Sequence, residues 1–199
     1  MDKDTQAKLE QFLDPEVLRP NLILASIYIA AFEILKNSII ERLRDFYVRG
    51  YDENGWIIIP AYTDEVLSKD KSPTYASLKW LKESQAINDD DIDKFNKVKE
   101  FRNLLAHEIT NMLMEGLPLD LSERFNDMVG LLDKIESWWI INVDIPTNPD
   151  LDDMADEIDE KGIVPGPIMS LRMMIDVALG SNEVANYYIN EFKKNIGNG

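Results

Sequence analysis

Lys97-Val98-Lys99-Glu100-Phe101-Arg102-Asn103-Leu104-Leu105-Ala106-His107-Glu108 is the stretch from which the fold is read. On a helical wheel, at about 100° per residue, Val98, Phe101 and Leu105 fall on one side, and Ile109 and Met112 continue the same stripe. A core-facing helix follows, with His107, the one histidine of the chain, nearly opposite the stripe. Upstream, Asn88 followed by Asp89, Asp90 and Asp91 places a cap and three acids at the helix start, where the dipole favours them. Downstream, Gly116-Leu117-Pro118 ends the helix after about residue 115.

The rest of the chain reads as helices that enclose this one. Residues 4–13 form a short helix stopped at Asp14-Pro15. Pro20 opens a long helix over about 21–48, whose first half is apolar on all sides and so belongs at the centre of the core. Residues 50–60 read as a loop with an extended piece at 56–59, and a short helix follows at 64–69. Ser72-Pro73 starts a helix to about Gln85. A helix over about 119–142 follows the motif helix after a short link, which favours antiparallel packing. Two last helices cover about 168–179 and 182–194. The fold class is all-α: an up-and-down bundle of four to five core helices in 1–142, with the acidic segment and C-terminal helices of 143–199 packed on it or extending it.

Composition narrows the function. There is no cysteine, so no disulfide framework and no thiolate metal site. The first residues lack the basic-then-apolar layout of a signal peptide. The longest apolar run, 22–35, is interrupted by Ser26 and Glu33 and is short for a bilayer. A cytoplasmic protein without a membrane partner is expected. The net charge is −16, which repels nucleic acid at long range, so any RNA contact needs a local basic site. Residues 144–160 hold eight acids and no base, half of that net charge. They lack the spacing of a calcium loop and read as a solvated acidic helix or a partner-facing tail.

On the motif helix, Arg102 and His107 point about 140° apart. Lys99, Asn103, Ala106 and Thr110 lie between their directions, and Asn103 shares a face with His107. The face is a shallow groove with cations on one wall and an imidazole on the other. An imidazole exchanges a proton with a hydroxyl near neutral pH. A guanidinium holds phosphate oxygens and the charge that builds on them in a transition state. With a ribose 2′-hydroxyl as nucleophile the reaction needs neither metal nor cofactor. Arg102 and His107 are then the catalytic candidates, Asn103 positions substrate or His107, and Lys99 and Thr110 bind substrate. The plainer reading of a lone exposed histidine on a helix is a solvated side chain. Glu33, inside the apolar run, needs a partner or a wet crevice; Arg102 is the candidate partner and Glu33 its support. Trp138-Trp139 reads as core or dimer interface, and Met169, Met173 and Met174 as packing.

Arg102-Asn103-Leu104-Leu105-Ala106-His107 resembles the signature of the HEPN superfamily (higher eukaryotes and prokaryotes nucleotide-binding domains): an arginine, often followed by a polar residue, with a histidine a few residues on. The resemblance covers roughly 20–142. It implies a helical bundle that dimerises with the motif helices near the two-fold axis. It also implies metal-independent endoribonuclease activity in defence or toxin–antitoxin systems, with a cognate antitoxin or regulatory partner, and Arg102, Asn103 and His107 match its motif. Other members are non-catalytic and bind ligands or proteins, which is the rival reading. Ile109 stands where some members carry a tyrosine, so control through that tyrosine is not expected.

Overall fold

The structure is a computed structural model and describes residues 2–151 and 159–197. The described residues form a helical bundle with one two-stranded sheet at its side. Helix α1 (Lys3–Leu13) leads into α2 (Pro15–Phe46), then strands β1 (Val48–Asp52) and β2 (Gly55–Ile58). Helices α3 (Pro73–Glu83), α4 (Asp89–Glu115) and α5 (Leu121–Trp139) follow. A single turn, α6 (Ile145–Thr147), precedes α7 (Gly166–Leu179) and α8 (Asn182–Gly197).

Helix α2 is the hub. It packs on α3, α4, α5 and α7 and buries Tyr28, Ala31, Leu35, Ile39 and Leu43 completely. From α4, Phe95, Val98 and Leu105 enter the same core, and from α5, Met128, Leu132 and Ile135. The stripe read from the motif helix is therefore the core stripe, with Phe101 and Met112 also buried and Ile109 packed against it. Trp139 lies under Trp80 and beside Trp138, closing the core at the α3–α5 end. Two stretches, Pro15–Phe46 and Glu160–Leu179, are long and apolar enough to cross a membrane by length and composition. In α2, 39% of the most apolar window is buried in the bundle, while Leu22 and Phe46 stay exposed.

Several boundaries differ from the sequence reading. Helix α2 starts at Pro15, not after Pro20, because the Asp14 carboxylate caps Glu16 N–H and Pro15 sits in the first turn. Pro20 then lies inside the first turns, where it gives up one backbone bond and the helix continues. The expected loop at 50–60 is a hairpin. Tyr51 and Trp56 face each other across it with rings 5.2 Å apart, and Glu53-Asn54 makes the two-residue turn between the paired Asp52 and Gly55, with Gly55 at φ 112°. At 64–69 a π turn over Tyr62–Val66 runs into a 3-10 turn over Leu67–Lys69. Helix α3 stops at Glu83 in a left-handed cap: Gln85 has φ 62°, Gln85 N–H bonds Lys82 C=O, and Ala86 N–H bonds Leu81 C=O. After α5 the chain continues as a π turn over Ile140–Asp144.

The C-terminal part joins the bundle through α7, which buries Ile168 and Leu171 and contacts α2 and α5, while α8 packs on α7. Of the methionine cluster, Met169 and Met174 are exposed. In the acidic segment, Asp144 bonds Arg42 and so belongs to the bundle. Asp152, Asp153, Asp156 and Glu157 lie outside the described residues, and with them the test of the solvated helix.

Candidate functional site

Aromatic side chains fix the motif helix in place. Tyr28 donates to the Val98 carbonyl at 3.3 Å and stacks at a tilt on Phe101, 5.0 Å away. Phe32 stacks on Phe95, and Tyr75 of α3 meets Phe95 edge-on. Burial pushes the Tyr28 phenol well above its ordinary pKa, so it stays a donor. At its start, α4 is held by a reciprocal capping box: Asp91 N–H donates to Asn88 Oδ1 and Asn88 N–H to Asp91 Oδ2. The buried Asp91 carboxylate also pairs with Lys134 of α5. These contacts leave one flank of α4 facing the cleft against α2 and the start of α3.

That cleft is a pocket of about 190 Å³, with Lys99, Arg102 and Asn103 on one wall, Glu33 and Lys36 on the second, and Ser72 and Thr74 on the third. Arg102 Nη2 donates to Glu33 Oε1 at 2.8 Å, and its guanidinium lies 5.6 Å over the Phe32 ring. Its Nε is buried without a hydrogen-bond partner among the described residues. Lys36 Nζ is 3.4 Å from the other Glu33 oxygen. Lys99 Nζ reaches the Tyr75 hydroxyl at 3.3 Å and sits 4.9 Å over its ring. Tyr75 in turn donates to Asn96 Oδ1 at 2.7 Å.

Three cations and one carboxylate therefore line the pocket. The N-terminus of α3 adds to the positive side. Ser72 is its N-cap residue, but its hydroxyl makes no capping bond, so the first-turn amides keep donor capacity for an anion.

The Glu33–Arg102 pair expected from sequence is formed. It stands at the wet rim of the cleft and not in the core: the two side chains are 40% and 31% exposed. The other members of the expected groove are placed differently. Ala106, His107 and Thr110 are exposed and do not line the pocket. The His107 imidazole makes no hydrogen bond to the described residues, and it stands just before a break in α4 at Glu108, φ −112° and ψ 16°. Five residues separate it from Arg102, about 7.5 Å along the axis. Lys99, Arg102 and Asn103 are thus brought together, while His107 and Thr110 lie on the open surface beyond. Sequence reasoning missed Lys36, Ser72 and Thr74. Lys36 follows Glu33 by one helical turn and was legible as its neighbour; the approach of the α3 start to α4 is a long-range contact that no local pattern signals.

A comparison with known proteins adds no template: no family model, curated protein or solved structure matches the chain. The arrangement itself can hold a phosphate in the pocket, with Arg102 preorganised by Glu33 and Phe32. A proton-transfer group stands on the same helix, outside the pocket.

Proposed function

We propose that the chain is a HEPN-like, homodimeric, cytoplasmic protein that binds RNA through the Arg102 pocket and cleaves it without a metal or cofactor, in a defence or toxin–antitoxin setting. The observation that carries the reading is the convergence of Arg102, Lys99 and Lys36 with the uncapped α3 start on a chain of net charge −16. A local basic site is what an acidic protein needs to hold a phosphodiester. In the reaction, His107 takes the proton of a ribose 2′-hydroxyl, and the 2′-oxygen attacks the adjacent phosphorus. The bond from phosphorus to the 5′-oxygen breaks. That oxygen leaves with a proton from water, and a 2′,3′-cyclic phosphate remains. Arg102 neutralises the charge on the phosphoryl oxygens, and Asn103, beside it, positions the substrate.

The test is cleavage of a mixed-sequence RNA in excess EDTA by the wild type, Arg102→Ala and His107→Ala. Wild-type fragments ending in cyclic phosphate, lost in both variants, support ribonuclease activity. RNA binding without cleavage, weakened by Arg102→Ala and indifferent to His107→Ala, selects the second reading, a non-catalytic anion-binding module. The position of His107 on open surface favours that second reading. Absence of both binding and cleavage rejects the two together.

A further inference from the structure

We propose that two copies of this chain associate through the outer face of the α7–α8 hairpin, α8 against α8 about a two-fold axis. The inference rests on neither the Arg102 pocket nor the α4 face. Helix α8 is amphipathic: Val184, Ala185, Tyr188, Ile189, Phe192 and Ile196 fall within about 140° of one another on the wheel. In a folded bundle such a stripe is covered by a neighbour. Here α8 packs on α7, and Ile189, Phe192 and Ile196 stay 44%, 60% and 65% exposed.

The hairpin gathers these residues on one surface. Tyr188 donates to Asp176 of α7 at 2.6 Å, which fixes how α8 is turned. With that bond between the helices, the wheel sets Ile189, Phe192 and Ile196 on the same side of the hairpin as Met173 and Val177 of α7. Ile168 and Leu171 point the other way and are buried in the bundle. Val177 is exposed, and only 17% of the most apolar window of Glu160–Leu179 is buried. The five residues therefore form one apolar strip, with Lys193 at its rim. A strip of this size on a soluble protein marks an interaction surface.

Charge says what covers it. In α7 and α8, Arg172, Lys193 and Lys194 balance Asp176, Glu183 and Glu191, so the rest of the chain carries the whole net charge of −16. Copies that meet by an acidic face repel, whereas through this strip they meet without opposed charge. A strongly basic or acidic partner finds no countercharge here to recognise. Area agrees. The 16 residues of α8 span about 24 Å and, with α7 alongside, the strip is about 20 Å across, so a two-fold contact removes about 1,000 Å² from water. That is the lower end of specific interfaces and suits a micromolar dimer. A two-fold contact needs one self-complementary surface, and antiparallel α8 helices complete a four-helix arrangement with the two copies of α7.

The test uses the full chain carrying Leu104→Glu, which charges the exposed face of α4 and leaves the hairpin contact to be read alone. Sedimentation velocity across micromolar concentrations, at low and high sodium chloride, should show a reversible monomer–dimer equilibrium. The dimer should tighten with salt, because screening relieves the repulsion between the acidic surfaces. Phe192→Glu and Ile196→Glu change exposed sites, so the monomer stays folded, as circular dichroism checks. Each should weaken the dimer about tenfold or more by setting a charge in an apolar contact. A monomer at every concentration and salt, or a dimer indifferent to both hairpin variants, overturns the proposal. So does a chain that does not self-associate but sediments with phosphatidylcholine vesicles and loses them in Phe192→Glu, since the strip then belongs to a bilayer.

Discussion

Replacing Glu33 by glutamine should move stability and RNA affinity in opposite directions. The carboxylate bonds Arg102 at 2.8 Å and Lys36 at 3.4 Å, and the three side chains are between 31% and 44% exposed. Pairs that wet contribute at most about 1 kcal/mol each, and an amide oxygen still accepts from Arg102, so the loss is about 1 kcal/mol. For a chain of this size that lowers Tm by roughly 2–4 °C. The same change removes the one negative charge lining a pocket that holds Lys36, Lys99 and Arg102. A unit charge some 4–5 Å from a bound phosphate is worth about 1 kcal/mol even at the dielectric of water, or roughly fivefold in affinity. Binding is measured by fluorescence anisotropy on a short 2′-O-methyl RNA, which cannot be cleaved through its 2′-oxygen, across a salt series. The expected outcome is tighter binding with a salt dependence steeper by about 0.7 in the log–log slope if one more counterion is released. Affinity unchanged or weakened in a folded Glu33→Gln refutes the placement of the phosphate between Arg102 and Lys36.

Lys99→Glu reverses a charge on the same wall and should weaken binding to that RNA at least tenfold at low salt, read in the same assay, with the difference shrinking at high salt. Asp91→Ala removes the capping box of α4 and the partner of Lys134. It should cost about 2 kcal/mol, seen as a Tm lower by roughly 4–8 °C. Burial, aided by donation to Glu65, raises Tyr47 to about 12 from the ordinary phenol value of 10.0. Below pH 10 both states hold the proton. Between about 10 and 12 only the folded state does, so stability falls as pH rises through that window. Urea unfolding at pH 9, 10 and 11 should show a steeper alkaline loss in the wild type than in Tyr47→Phe.

How much of this was legible follows from the range of the interactions. The stripe of Val98, Phe101, Leu105 and Met112 is a local repeat, and it became the core face of α4 because that face has nowhere else to go. The start signals at Asn88 and Ser72-Pro73 were local too, and both helices begin where the sequence places them, although only Asn88 makes a capping bond. What failed was punctuation that depends on the other side of a contact. Pro20 looked like a helix start until the Asp14 cap supplied an earlier one. The extended piece expected at 56–59 is a strand, but its partner was not read: Tyr51 and Trp56 pair across a turn at Glu53-Asn54. In the site, charge sense and the Glu33–Arg102 pair could be anticipated from two residues on two amphipathic helices. The shape of the groove could not: a wheel drawn on α4 alone made His107 the opposite wall, whereas the wall is built by α2 and the start of α3.

That geometry bears on who supplies the histidine. Arg102 and His107 differ by about 7.5 Å along α4 and about 140° around it, so one phosphodiester cannot easily contact both side chains of one chain. Arg102 is turned towards α2 by Glu33 and Phe32, which widens the gap. The face of His107 also carries Leu104, 47% exposed one turn earlier, and an apolar side chain beside the imidazole suits a two-fold contact between copies of α4. Such an axis sets identical faces together and can bring His107 of one chain to the Arg102 pocket of the other. Mixing Arg102→Ala with His107→Ala subunits, each inactive alone, then leaves one intact site in every mixed dimer. Random exchange makes half the dimers mixed, so roughly a quarter of wild-type cleavage should return. The assay is RNA cleavage after exchange at elevated temperature, with the mixed dimer counted by native mass spectrometry. Mixed dimers that form and cleave nothing refute the composite site. A chain that stays monomeric by light scattering across micromolar concentrations refutes it before any RNA is added.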